Sequence, residues 1–107
     1  MKRTNPRNKY GAIRTEVDGI LFDSRMEAAR YRELKLLERA GRIIGFTTHP
    51  KYLIFINDKK ICTVELDFSY WDEKLQRIVH EDVKGHDNAL SRLKRKLVYA
   101  VHGITVE

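Results

Sequence analysis

Three apolar runs, residues 51–56, 61–70 and 75–84, follow one another across two short polar breaks, Asn57-Asp58-Lys59-Lys60 and Trp71-Asp72-Glu73-Lys74. A crossover between parallel strands needs a dozen or more residues, so breaks this short force antiparallel pairing. The three runs are therefore expected to form an antiparallel meander. Upstream, Asp18-Gly19 between residues 12–17 and 20–22 reads as a tight hairpin turn. Ser24-Arg25-Met26-Glu27 then has the spacing of a helix capping box. It predicts a helix over 25–40 with Gly41 as its stop and Tyr31, Leu34 and Leu37 on or near one stripe. Glu27, four residues before Tyr31, borders that inward side. After the meander, Asn88 caps a second predicted helix over 89–102, with Leu90, Leu93, Leu97 and Val101 at helical spacing. Gly103 ends it, and Ile104-Thr105-Val106 adds a short last strand. This order predicts an α/β fold, a mixed β-sheet flanked by helices.

A chain of 107 residues is expected to make one domain. We read 11–107 as that domain and 1–10 as a flexible basic arm carrying Lys2, Arg3, Arg7 and Lys9. The net charge of +6 favours a polyanionic partner. A single cysteine, Cys62, rules out an internal disulfide and suits a reducing cytoplasm. No apolar run approaches the roughly 20 residues of a membrane span, so a soluble cytoplasmic protein is expected. His49, His80, His86 and His102 are scattered and, with one cysteine, give no zinc spacing. Glycine-rich phosphate loops and a Ser-His-Asp ordering are both missing.

The chemistry concentrates at Val79-His80-Glu81-Asp82-Val83-Lys84-Gly85. Alternate residues of a strand share a face, so Ile78, His80, Asp82 and Lys84 fall on one side and Val79, Glu81 and Val83 on the other. On the strand before it, Val64, Leu66, Phe68 and Tyr70 share one face and Glu65, Asp67 and Ser69 the opposite one. Asp82 is preferred over Glu81 because it sides with Lys84; alternation does not choose between Glu65 and Asp67. Carboxylates beside an ammonium can hold a hard divalent cation and a phosphate, since Mg²⁺ needs only one or two carboxylates plus substrate oxygens. Such an ion neutralises developing charge and acidifies water, while a lysine stabilises the charged transition state. The Val83 backbone carbonyl is a further oxygen between the two side chains. With 34% charged residues, an acid-x-lysine triplet alone is what chance supplies. Glu27 has a competing use as the partner of Ser24 in the capping box.

The whole pattern resembles the PD-(D/E)xK nuclease superfamily, and within it short phage and prophage proteins similar to Holliday junction resolvases. The resemblance rests on Lys9-Tyr10-Gly11, Phe22-Asp23-Ser24, Glu27-Ala28, Arg30-Tyr31, Asp67-Phe68-Ser69-Tyr70, Glu81-Asp82-Val83-Lys84-Gly85 and Leu93-Lys94-Arg95-Lys96-Leu97. It spans nearly the whole chain, although Leu66 stands where the superfamily's name puts proline. It implies a restriction-endonuclease-like core, Asp67 and Asp82 as metal-binding acids, Lys84 as the catalytic lysine and Glu27 as an added helix carboxylate. It also implies Mg²⁺ or Mn²⁺ as cofactor.

The expectation is thus a metal-dependent DNA endonuclease, acting on branched DNA in phage recombination or replication, and a homodimer where paired nicks are made. Arg92, Arg95 and Lys96, with Lys94 at the flank of the leucine stripe, make a basic helix face for DNA phosphates. Lys94 is the best placed of them to reach the scissile region. His80, on the Asp82 face, is expected to be structural. Two rivals share the charge pattern: a non-catalytic DNA-binding accessory protein with a nuclease-like fold, and a nuclease subunit that needs a partner.

Overall fold

A computed structural model describes residues 13–83 and 87–107. The basic arm with Lys2, Arg3, Arg7 and Lys9, and the Lys84-Gly85-His86 segment, lie outside the described residues. The chain begins with a hairpin, β1 (Thr15–Val17) and β2 (Ile20–Phe22), in which Val17 pairs Ile20. Asp18 and Gly19 take positive φ (54° and 77°), as a type I′ two-residue turn requires. Helix α1 (Arg25–Arg39) follows, with Ser24 as its cap: Glu27 N–H donates to Ser24 Oγ (3.1 Å).

The sheet differs from the expected meander. A strand absent from the sequence reading, β3 (Ile43–Thr48), precedes β4 (Lys51–Ile56). The predicted strand over 61–70 is two strands, β5 (Lys59–Glu65) and β6 (Phe68–Asp72). Ile43 pairs Asp72, Thr48 pairs Phe68, Lys51 pairs Glu65 and Ile56 pairs Lys59. One long hairpin therefore runs from residue 43 to 72 about the Asn57-Asp58 turn, both of whose φ are positive. It is interrupted midway on both arms at the same level, at His49-Pro50 and at Leu66-Asp67. Two bonds carry the pairing across the interruption: His49 N–H donates to Asp67 O (2.9 Å) and Leu66 N–H to Pro50 O (3.0 Å). Strand β7 (Arg77–Glu81) pairs with the outer arm of β6, giving the order β3-β6-β7. Trp71 lies within β6 opposite Ile44 and Ile78, and Leu75 sits in the turn that follows, both contrary to expectation. Asp72 Oδ1 accepts from the N–H groups of Lys74 and Leu75 and so fixes that turn (both 2.9 Å).

Each half of the hairpin has its own core. Ile43, Phe68, Tyr70 and Val79 pack with Phe22 and with Ala28, Tyr31 and Leu34 of α1. Ile54, Val64 and Leu66 pack with Val98 of the second helix, α2 (Ala89–His102). Leu66 and Phe68 thus belong to different cores, although unbroken alternation would have placed them together. Helix α2 has the predicted span and caps: Ser91 N–H donates to Asn88 Oδ1 (2.8 Å), and Gly103 closes the helix at φ 70°. Its apolar stripe faces the core only in part, through Leu97, which packs against it. Leu90 (59% exposed), Leu93 (52%) and Val101 are exposed, and Val98 is the residue fully buried. The helix rests on the narrow far half of the hairpin, which covers only one side of it. The last predicted strand is reduced to a parallel bridge between His80 and Val106, with Glu107 N–H donating to His80 O (2.8 Å). The architecture is mixed α/β.

Candidate metal centre

The interruption of the long hairpin builds the site. Phe68 pairs with Glu81, so the residues just beyond each strand end, Asp67 and Asp82, stand opposite one another. Asp67 N–H donates to Glu81 O (3.1 Å), and Val83 N–H donates to Asp67 Oδ2 (2.6 Å). Val83 also packs against the first core, so its backbone is held beside Asp67. Asp82 is held through its own N–H, which donates to Glu107 O (3.1 Å).

Glu27 reaches the same place from the first turn of α1. Its backbone N–H uses Ser24, but its carboxylate is buried (4% exposed) and stands 3.3 Å from His49 Nε2. The competition between cap and site is therefore resolved inward. Ligand atoms of Glu27, His49 and Asp67 all lie within 4.8 Å of one another.

Three carboxylates so close cannot all ionise cheaply. Burial, then the charges of Glu27 and Asp82, push the Asp67 carboxyl up to about 9. Glu27 is raised too, chiefly by burial and secondarily by Asp23, while His49 opposes the rise. Among the described residues no lysine or arginine pairs with Glu27 or Asp67. A buried Glu27 and a half-buried Asp67 with an imidazole nitrogen in reach are a donor set that fits a divalent cation.

The structure thus brings Glu27, Asp67 and Asp82 together, while Lys84 lies outside the described residues. Glu81, set aside on parity, is buried on the α1 side and engaged elsewhere. Arg30 donates to it twice (Nε to Oε1 2.8 Å, Nη2 to Oε2 2.6 Å), and the Tyr70 hydroxyl donates to Oε2. His80 Nδ1 lies 2.9 Å from the Tyr52 hydroxyl. His49 is the residue that sequence reasoning missed. The signal lay in Ile43 to Thr48, a β-branched and aromatic run broken by His49-Pro50 just before the next strand.

Of the basic residues expected to meet DNA, Lys94 and Arg95 share a cleft with Asp82. The cleft, of about 100 Å³, is also lined by Glu65, Leu66 and Ser91. Arg95 and Arg92 are drawn to Asp87, at 3.0 and 3.6 Å. Lys96 lines a shallow groove with Arg92 and Tyr99 on the outer side of α2. No helix among the described residues is long and apolar enough to cross a membrane.

A family model described as "Protein of unknown function (DUF1064)" matches residues 7–103, and the chain belongs to that family. Comparison with curated proteins and with solved structures found no match.

Proposed function

We propose that this member of the DUF1064 family is a metal-dependent endodeoxyribonuclease of the PD-(D/E)xK type, cutting phosphodiester bonds in branched DNA with Mg²⁺ or Mn²⁺. The observation that carries the reading is the meeting of Glu27, Asp67 and Asp82 at the interrupted hairpin, where burial and mutual repulsion keep a proton on Asp67. A divalent cation, when bound, would add positive charge beside Glu27 and Asp67 and polarise a phosphate oxygen. Asp67 and Asp82 hold it from the two strand ends, and Glu27 holds it from α1. Lys84, two residues past Asp82, is assigned to the water or to the charge on the phosphoryl group. Lys94, in the cleft it shares with Asp82, contacts a flanking phosphate, and Arg92, Arg95, Lys96 and the basic arm extend that contact. A resolvase that makes paired nicks needs two such sites about a two-fold axis, and the exposed Leu90, Leu93 and Val101 offer apolar surface for a second copy.

The test is cleavage of a four-way junction, a flap, a linear duplex and a plasmid with Mg²⁺, Mn²⁺ or chelator. The branched substrates are expected to be cut only with metal, and Asp82→Asn to bind them without cutting. Equal cutting by Asp82→Asn would overturn the assignment. Binding without cutting by the unaltered protein would favour the accessory reading, and activity restored by a host extract would favour a partner-dependent subunit.

A further inference from the structure

We propose that His49 is a nitrogen ligand of the cation and turns the site from Mg²⁺ toward Mn²⁺. The inference rests on the metal site of the preceding section but not on its reaction. Two ligands at about 2.1 Å from an ion lie about 3.0 Å apart when adjacent and about 4.2 Å apart when opposed. The 3.3 Å between His49 Nε2 and Glu27 Oε2 matches an adjacent pair. The 4.8 Å limit on the whole set, with Asp67 included, leaves room for one ion between them with little rearrangement.

The imidazole is held in place from three directions. His49 has φ 53°, a left-handed backbone that side-chain-bearing residues seldom adopt. Its N–H is fixed on Asp67 O (2.9 Å), and its ring lies 5.5 Å from the Phe22 ring, centroid to centroid. Neighbouring residues thus over-determine an unfavourable backbone conformation, as happens where a side chain must be aimed. Aimed at the buried Glu27 and the half-buried Asp67, an imidazole adds a donor that Mg²⁺ has little use for, since Mg²⁺ favours oxygen throughout. Mn²⁺, less hard than Mg²⁺, accepts an imidazole nitrogen beside carboxylates, and the later first-row divalent ions do so more readily still.

The experiment is pulsed electron paramagnetic resonance of the full-length protein loaded with Mn²⁺, without DNA. A ¹⁴N modulation from bound imidazole is expected, changing to the ¹⁵N pattern when the protein is grown on ¹⁵N-histidine, which needs no substitution. It should vanish in His49→Asn, chosen because Asn tolerates the left-handed backbone, and in His49→Gln. It should survive in His80→Gln and His86→Gln. Calorimetric titration should show a loss of about 10-fold or more in Mn²⁺ affinity in both His49 variants, with a smaller change for Mg²⁺. Bound Mn²⁺ without nitrogen modulation, or modulation that persists in both His49 variants, overturns the proposal. Nitrogen-ligated Mn²⁺ in a protein that cuts no DNA upholds it and overturns the nuclease reading instead. Metal-dependent cutting without the nitrogen signal does the reverse.

Discussion

Two carboxylates, the buried Glu81 and the half-buried Asp67, meet helix α1 one turn apart and are treated in opposite ways. At Arg30, the guanidinium and the Tyr70 hydroxyl close around Glu81. The Glu81 carboxylate makes the guanidinium hold its proton more firmly than usual, and burial, then the hydrogen bond to Glu81, does the same for the Tyr70 phenol. At Glu27, three residues earlier, carboxylates face carboxylates, and Asp67 is pushed up to about 9. A buried acid with an internal cation is complete and serves the fold. One whose neighbours are acids is destabilised until a cation arrives, which is what a binding site requires. Two carboxylates of the same chemistry thus become a structural pair or a site according to what stands beside each.

The largest expected contrast is in catalysis. Asp67→Asn should lower metal-dependent cleavage by on the order of 10³-fold, corresponding to about 4 kcal/mol of lost transition-state stabilisation. Glu81→Gln should leave the rate per folded molecule within a few-fold of the unaltered protein. Single-turnover cleavage, corrected for the folded fraction by circular dichroism, checks both. Equal losses in the two variants would erase the distinction.

Stability should reverse the order. Glu81→Gln removes the charge that Arg30 needs and should cost about 2–4 kcal/mol. That is less than for a fully buried pair, because the Arg30 side chain is one-third exposed. Urea unfolding in chelator measures it, and an unchanged midpoint would mean that Glu81 is not the structural member of the comparison.

Why one cluster was legible in the sequence and the other only in part follows from how each is built. Local signals were sufficient for Asp18-Gly19, the caps Ser24 and Asn88, the Gly103 terminus and the spans of both helices. Each of these depends on residues within four positions of one another. Asp82 was reachable through parity with Lys84, and Glu27 through its stripe on α1. The hairpin from 43 to 72 was not legible, because its pairing of Ile43 with Asp72 is set by packing across 29 residues rather than by any turn nearby. Without it, β3 passed unseen, 61–70 read as one strand, and His49 had no reason to meet Asp67. Leu90 and Leu93 of α2 were misplaced for a related reason. Periodicity gives a helix its apolar stripe but does not say whether enough sheet lies opposite to cover it.

The smallest effect is the most diagnostic of the Glu27 cluster, because it has the unusual sign. A carboxyl with a folded pKa of about 9 against an ordinary 3.8 keeps its proton in the native state over a range where the unfolded chain has lost it. The native state binds more protons across that window, so metal-free stability falls as pH rises from about 4 to about 9. Asparagine cannot titrate, yet it keeps an oxygen for the Val83 N–H. Asp67→Asn should therefore match the unaltered protein near pH 4 and exceed it by about 1–2 kcal/mol near pH 8, well below full linkage because solvent reaches part of the site. Adding Mn²⁺ should reverse the trend in the unaltered protein, since the ion binds the deprotonated acids and its stabilisation grows with pH. Urea midpoints at pH 4, 6 and 8, with chelator and with Mn²⁺, check all three slopes. A metal-free stability that rises with pH at this cluster, and falls in Asp67→Asn, would show that the acids find their cation within the chain, as Glu81 does.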